Sequence, residues 1–143
     1  MSDPGSPSRL PDQMIALLFR ASRAVERRLD EALETVDLSV PKYSALKHLA
    51  LAGEPLALSE LAARQICVRS NITQLVDRLE ADGLVRRVED PKDRRSVRAT
   101  LTPLGRERQA AGAERVRAVQ EDVAERLAGT DLAALAGALD RLK

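Results

Sequence analysis

A polar helical face between Cys67 and Thr102 carries the residue types best suited to recognition chemistry. Apolar residues at helical spacing predict that the opposite face of this helix is buried: Ile72, Leu75, Val76 and Leu79. At about 100° per residue, Ser70, Gln74 and Asp77 then point away from that buried face. The flanks carry Asn71, Thr73 and Arg78. Such amides and hydroxyls can hydrogen-bond to base edges or phosphates, and arginines can bind phosphates.

A charged hairpin is predicted to follow this helix. Gly83 comes after the last periodic residue, where a left-handed conformation ends helices. Alternation between Val97 and Leu101 is typical of a strand. The basic residues of the hairpin are Arg86, Arg87, Lys92, Arg94, Arg95 and Arg98, against Glu89, Asp90 and Asp93. Positive charge is thus concentrated where the hairpin projects, although a solvated charged loop is the alternative interpretation.

The remaining elements are predicted to be helices. Ser39 and Thr102 are placed to cap helices whose first turns contain Pro41 and Pro103. A short helix from about Leu58 leads towards the polar one, and the helix-turn-helix unit is then complete. Near the chain ends, narrow apolar stripes lack an obvious partner within one subunit: Met14, Leu17, Leu18, Ala21, Val25, Leu29, Ala32 and Val36, and Leu132, Leu135, Leu139 and Leu142.

The fold class that follows is mainly α with a small β-hairpin wing. Residues 1–9 are predicted to form a flexible N-terminal arm, and residues 10–143 are predicted to form one domain. A winged helix-turn-helix lobe covers about 39–101, and a helical dimerisation lobe is built from both chain ends, about 10–36 and 102–142. The apolar stripes near the chain ends lack a partner within one subunit, and they therefore predict a homodimer.

Composition excludes several classes of function. The chain has 143 residues, 44% of them apolar, and a net charge of +1. One cysteine and one histidine argue against an internal disulfide or a dedicated zinc site, and fit a reducing cytoplasm. No membrane span or secretory signal is apparent. No nucleophile–base pair, metal spacing or phosphate loop appears, so we expect no enzyme, no cofactor and no membrane partner.

Five sequence motifs follow one another along the chain: Ser-Glu-Leu-Ala-Ala-Arg (59–64), Asn-Ile-Thr-Gln-Leu-Val-Asp-Arg-Leu-Glu (71–80), Gly-Leu-Val-Arg-Arg (83–87), Asp-Pro-Lys-Asp-Arg-Arg-Ser-Val-Arg (90–98) and Leu-Thr-Pro-Leu-Gly (101–105). In this order and spacing the chain resembles the MarR family of transcriptional regulators, from about Leu10 to Leu142. The resemblance implies a homodimer that binds palindromic double-stranded DNA operators; the cytoplasmic location is expected from the cysteine content. The resemblance also implies a repressor, released by a small molecule or an oxidant.

Roles follow for the individual DNA-binding residues. Gln74 can pair with adenine, and Ser70 and Asn71 can reach base edges or phosphates. Arg69, Thr73 and Arg78 are better placed for phosphates. In the family, a wing arginine held by an aspartate enters the minor groove; the matching residues are Arg95 and Asp93. Arg94 is the alternative arginine, and Lys92 completes the basic tip. Asp77 would repel phosphate and is expected to pair with a wing arginine.

Three further expectations concern the helix start, the cysteine and the effector. Val68 stands where the family usually has a serine opening the recognition helix, so that helix is predicted to lack a side-chain cap. Cys67 is interpreted as apolar packing, with a thiol-based redox switch as the alternative. We expect either an effector in an aliphatic-lined cleft between the first helix and the DNA-binding lobe, or no effector at all. A winged-helix protein-interaction adaptor is the other alternative, which a neutral or acidic wing tip would have favoured.

Overall fold

The computed structural model describes residues 10–65, 71–93 and 95–143. In chain order its elements are α1 (Leu10–Glu34), α2 (Val40–Ala52), β1 (Leu56–Ala57), α3 (Leu58–Arg64), α4 (Ile72–Ala81), β2 (Val85–Glu89), β3 (Val97–Leu101), α5 (Pro103–Arg126) and α6 (Leu132–Asp140). The mainly helical winged-helix architecture predicted from the sequence is confirmed. We call α2 to β3 the winged-helix unit, and α1, α5 and α6 the helical layer.

Side-chain caps fix the starts of two helices where the sequence predicts them. Ser39 Oγ accepts a hydrogen bond from the Lys42 N–H at 3.4 Å and caps α2. Thr102 Oγ1 accepts one from the Gly105 N–H at 3.0 Å and caps α5. Each cap satisfies an amide that has no partner within the helix. α3, by contrast, has Ala57 at its N-cap position and no side-chain cap.

A glycine separates α4 from the hairpin. Gly83 has a φ of +76°, a left-handed conformation that a side chain would strain. The chain then reverses, and the Leu84 N–H donates to the Leu79 carbonyl at 2.9 Å. This turn places β2 directly after α4, as the sequence predicts.

The sheet has one more strand than the predicted hairpin. β3 lies in the centre, antiparallel to both β2 and β1, in the order β1-β3-β2. Ala99 pairs with Arg87 on one side and with Leu56 on the other. β1 contains only two residues, so no alternation in the sequence could reveal it.

Most of the core lies inside the winged-helix unit, and Leu33 of α1 and Leu38 also belong to the core. Leu75, Val76 and Leu79 of α4 are buried, as the helical spacing predicts. They belong to a cluster with side chains from α2, α3, the sheet and the turn before β2, including Leu46, Leu49, Leu56, Leu61, Leu84 and Ala99. The buried face of α4 therefore fixes which of its side chains face solvent.

Close backbone packing attaches the winged-helix unit to α5. A Cβ atom at Gly112 would lie 2.8 Å from Tyr43 Cδ2 and 2.9 Å from Leu38 Cδ1. Only glycine leaves room for Tyr43 to lie against α5 at this point. Partial burial there raises the pKa of the Tyr43 hydroxyl.

The helical layer leaves much of its apolar surface uncovered in one chain. Leu33 near the end of α1 is fully buried, whereas Met14, Leu17 and Val25 of the predicted stripe are exposed. α6 has no buried residue. Within the described residues, no helix is both long enough and apolar enough to cross a membrane.

Candidate nucleic-acid interface

The first residue of the interface caps the exposed helix α4. Asn71 has an extended backbone, and its Oδ1 accepts hydrogen bonds from the Thr73 N–H at 3.0 Å and the Gln74 N–H at 3.3 Å. The prediction that this helix opens uncapped at Val68 is therefore wrong. Asparagine is among the best N-cap residues and valine among the poorest, so local chemistry decides the start.

Two solvent-facing side chains of α4 lie one helical turn apart. Gln74 and Arg78 are both exposed, as the helical spacing predicts. Together with Asn71 and residues at the start of α2, they line a recess of about 220 Å³. Lys42 of α2 also forms an ion pair with Asp82 at 2.7 Å, which ties the start of α2 to the end of α4. Thr73 is exposed beside this surface.

An arginine of the first wing strand is bonded to two carboxylates of α4. Arg87 Nη2 donates to Asp77 Oδ1 at 2.6 Å, and Arg87 Nη1 donates to Glu80 Oε1 at 3.0 Å. The Arg87 backbone N–H also donates to Glu80 Oε2 at 2.9 Å. The hydrogen bond with Asp77 is the largest cause of the raised pKa of Arg87.

This arrangement confirms that Asp77 pairs with a wing arginine. The partner is on the strand, however, not at the basic tip. The alternation of side chains along a strand indicates which way Arg87 points. Val85 is buried, and Arg87, two residues later, lies on the same face of β2. The role of Arg87 was missing from the set of residues predicted for the interface.

The base of the wing is built around Asp90. Asp90 Oδ1 accepts from the Lys92 N–H at 2.9 Å, and Asp90 Oδ2 accepts from Arg98 Nε at 3.2 Å. Arg98 also donates to the Pro55 carbonyl at 3.3 Å, which links the wing to the segment before β1. The Lys92 N–H, followed by Arg98, lowers the pKa of the Asp90 carboxyl.

The wing tip turns around a second aspartate. Asp93 Oδ1 accepts a hydrogen bond from the backbone N–H of Arg95 at 3.0 Å. The expected link between these residues is present, but it runs through the main chain of Arg95 and not through its guanidinium. Lys92 and Arg95 are exposed. Arg69, Ser70 and Arg94, and likewise Cys67, lie outside the described residues.

On this surface, most carboxylates have hydrogen-bond partners within the chain, whereas three basic side chains take part in no ion pair of the described residues. Among the carboxylates near this surface, Asp77, Glu80, Asp90 and Asp93 each accept a hydrogen bond from within the chain. The exposed Glu89 of β2 takes part in none of the side-chain hydrogen bonds or ion pairs of the described residues. None of the ion pairs among residues 10–65, 71–93 and 95–143 involves Arg78, Lys92 or Arg95. The surface can therefore offer cations to an anionic partner while most of its carboxylates already accept hydrogen bonds. In that same part of the chain, His, Cys, Asp and Glu form no cluster suited to a metal ion.

The predicted aliphatic cleft lies elsewhere than expected. A groove of about 420 Å³ is lined by aliphatic side chains of α1 and α5, among them Val25, Leu29, Val116 and Val123. It lies within the helical layer. Where the end of α1 meets the winged-helix unit, a recess of about 490 Å³ has a charged lining, including Asp37, Lys42, Asp82 and Arg108.

Comparison with known proteins agrees with this architecture. A MarR family profile matches residues 38–97. The transcriptional repressor IacR of Pseudomonas putida is 32% identical over 104 residues, covering 72% of this chain and 62% of IacR. Against two other curated relatives the chain spans about half of their length, 44% and 51%.

Solved structures extend the similarity to nearly the whole chain. A MarR family regulator from Rhodococcus sp. RHA1 is 30% identical, with a TM-score of 0.73, covering 93% of this chain and 91% of that one. A mutant of Escherichia coli MarR in complex with operator DNA has a TM-score of 0.80 at 22% identity, covering 99% of both chains, and shares the fold. With the winged helix and its motifs in place, the chain belongs to the MarR family of transcriptional regulators, which are not enzymes.

Proposed function

We propose that this protein is a homodimeric repressor that binds palindromic operator DNA and is released by a small ligand. The observation that carries the proposal is the shared solvent-facing surface of α4 and the wing. It presents exposed polar and basic side chains, while most of its carboxylates accept hydrogen bonds from within the chain. The similarity to IacR supports a repressor, and the fold shared with an operator-bound MarR supports DNA as the partner.

The proposed contacts of residues 69–78 divide between bases and phosphates. We assign Gln74 to a base edge in the major groove, where its amide can pair bidentately with adenine. Thr73, Arg78 and Arg69 contact phosphates, which position the protein without identifying sequence. Ser70 reaches a base edge or a phosphate. Asn71 offers its Nδ2 donor, because its Oδ1 is engaged by the helix amides.

The wing contacts the second groove of the DNA, the minor groove. Arg95 enters the minor groove, with Arg94 as the alternative, and Lys92 approaches a phosphate. Asp93 holds the turn on which Arg95 lies through the 3.0 Å bond to its N–H. Narrow A·T-rich minor grooves concentrate negative potential, so an inserted arginine favours A·T pairs that flank the half-sites.

Apolar surface on the helical layer supports a homodimer. Ile15 and Phe19 of α1 are 68% and 65% exposed, and Leu142 after α6 is 68% exposed. The groove between α1 and α5 is bordered by Leu132 of α6. A second copy would remove these side chains from water and place two winged-helix units side by side, as a palindrome requires.

The ligand-dependent step is assigned to the junction between the two parts of the chain. The charged recess there contacts the turn after α1, the end of α4 and α5. A polar ligand bound in it would alter how α4 is held against α5. Only a ligand with different affinities for the DNA-binding and released arrangements can shift that balance.

Binding to selected DNA provides the test. Wild-type protein is incubated with a randomised duplex pool, and enriched sequences are compared with a scrambled duplex in gel shifts from 50 to 200 mM salt. We expect a palindrome, and a loss of about a thousandfold or more across this range for six to ten phosphate contacts. A flat salt response, or no enriched sequence, would contradict the proposed function.

A further inference from the structure

Arg87 connects the two parts of the proposed DNA-binding surface. It lies on β2 at the point where Ala99 of the central strand pairs with it, so the sheet holds its backbone. Its guanidinium reaches Asp77 at 2.6 Å and Glu80 at 3.0 Å, and its N–H reaches Glu80 at 2.9 Å. Nη2 also donates to the Thr73 carbonyl at 3.5 Å. Four hydrogen bonds therefore join the first wing strand to α4.

The attachment point on α4 is close to the proposed base contact. Asp77 follows Gln74 by three residues, which places it on the adjacent part of the helix surface. The same strand continues from Arg87 through Glu89 into the wing tip that carries Arg95. The position of the tip relative to Gln74 is therefore set partly by this connection.

We propose that Arg87 is a positioning residue that determines sequence specificity by fixing the wing relative to α4. This role rests on the proposed DNA-binding function. Major-groove and minor-groove contacts can both form only if their separation matches that of the duplex. A connection made before binding reduces the ordering cost of the correct complex. On an unrelated sequence, where phosphate contacts dominate, the exact separation matters less.

The geometry distinguishes this role from a direct phosphate contact. The Arg87 side chain is only 26% exposed and already bonded to two carboxylates. A phosphate would have to displace one of them. Lysine could keep one ion pair at this position, but it lacks the planar fork that reaches two acceptors.

The specificity ratio is the informative measurement. It is the dissociation constant for a scrambled duplex divided by that for the duplex enriched by wild type from a randomised pool. A misfolded fraction weakens both affinities by the same factor and leaves the ratio unchanged. The ratio thus separates positioning from loss of folded protein.

Arg87→Gln is compared with Arg87→Lys and with Arg86→Gln, which removes the same charge from the neighbouring, exposed residue of β2. We expect Arg87→Gln to lower the ratio about tenfold, comparable to the loss from one mismatched base pair. Arg87→Lys should recover part of it. Arg86→Gln should keep the ratio, and Arg87→Gln should keep the salt slope on the scrambled duplex.

Asp77→Asn tests the same connection from the helix side. It should also lower the ratio, and combining it with Arg87→Gln should add little, because both remove one interaction. If Arg87→Gln keeps the ratio and lowers the salt slope by about one, Arg87 is a phosphate contact and the positioning role is wrong. If Asp77→Asn tightens both duplexes equally, Asp77 acts only by repulsion, which also overturns it. If wild type enriches no duplex, the proposed function itself fails.

Discussion

Asn71 Oδ1 accepts a hydrogen bond from the backbone N–H of Gln74 at 3.3 Å. The residue that begins α4 and the residue proposed to contact a base therefore form one local unit. The same oxygen accepts from the Thr73 N–H at 3.0 Å. Any change at Asn71 can thus act on helix stability, on DNA binding, or on both.

Substitutions at Asn71 should separate these two effects. Asn71→Ala removes the cap and should lower the free energy of unfolding by about 1 kcal/mol. Asn71→Asp keeps an acceptor for both amides, so its stability should stay near wild type. It removes the Nδ2 donor and adds a negative charge, so its DNA affinity should fall. Chemical denaturation and gel shifts on the same samples check both outcomes; an Asp variant with full affinity would exclude Asn71 from the DNA contact.

The sequence predicted the elements whose causes are local. Ser39 and Thr102 could be recognised as caps because each is followed by proline and a helical pattern. The misplaced cap at Val68 came from the family pattern, whereas the side-chain chemistry of Asn71 pointed to the correct start. β1 could not be predicted, because its two residues form a strand only through pairing with β3.

In the candidate interface, too, features with local causes could be predicted from the sequence, whereas contacts between distant segments could not. The exposure of Gln74 and Arg78 follows from helical spacing alone. The double contact of Arg87 depends on how the hairpin folds back against α4, and no local pattern specifies that angle. The site of the aliphatic groove likewise depends on packing between α1 and α5, which are distant in sequence.

The wing should lose a stabilising contribution in acid. The pKa of Asp90 is lowered by the Lys92 N–H and by Arg98, so the native state favours the charged carboxylate. This contribution is present above the unfolded pKa, about 3.9, and is lost as the pH falls through the lower folded value. Asp90→Asn should therefore be less stable than wild type near neutral pH. The difference should shrink below about pH 4. Denaturant midpoints of both proteins across this range provide the measurement, and a constant difference would contradict the role of the charge.

Self-association should depend on apolar side chains of the helical layer. Leu142→Glu places a charge on a side chain that is 68% exposed in one chain. If a second copy covers it, the dimer should weaken by about 2 kcal/mol or more. Leu51→Glu is the matched control, because Leu51 of α2 is 71% exposed in the winged-helix unit. Sedimentation at low micromolar concentration should show dimers for wild type and the control. A folded wild-type monomer would contradict the homodimer.

Cys67 is expected to act as a packing residue and not as an oxidant sensor, although it lies outside the described residues. Serine at this position should leave operator affinity nearly unchanged, and peroxide should not release wild-type protein from DNA. Gel shifts before and after peroxide treatment check this. Release of wild type but not of Cys67→Ser would establish the redox alternative.

Truncation of Gln74 and truncation of Arg95 should impair DNA binding in different ways. Gln74→Ala should cost about 1–3 kcal/mol on the selected duplex and relax the preference at one position in each half-site, since it removes a base contact. Arg95→Ala should weaken binding to all duplexes, lower the salt slope and reduce any preference for A·T flanks. Both side chains are exposed, so both variants should keep the stability and the dimeric state of wild type.

The two roles can be assigned by measuring both variants on three duplexes: the selected one, one changed within the half-sites and one changed in the flanks. In a symmetric dimer each contact occurs twice, so each loss should double between a half-site and the full palindrome. If Gln74→Ala keeps full base discrimination and Arg95→Ala loses it, the roles are reversed. If neither variant changes binding, the surface formed by α4 and the wing is not where this protein meets DNA.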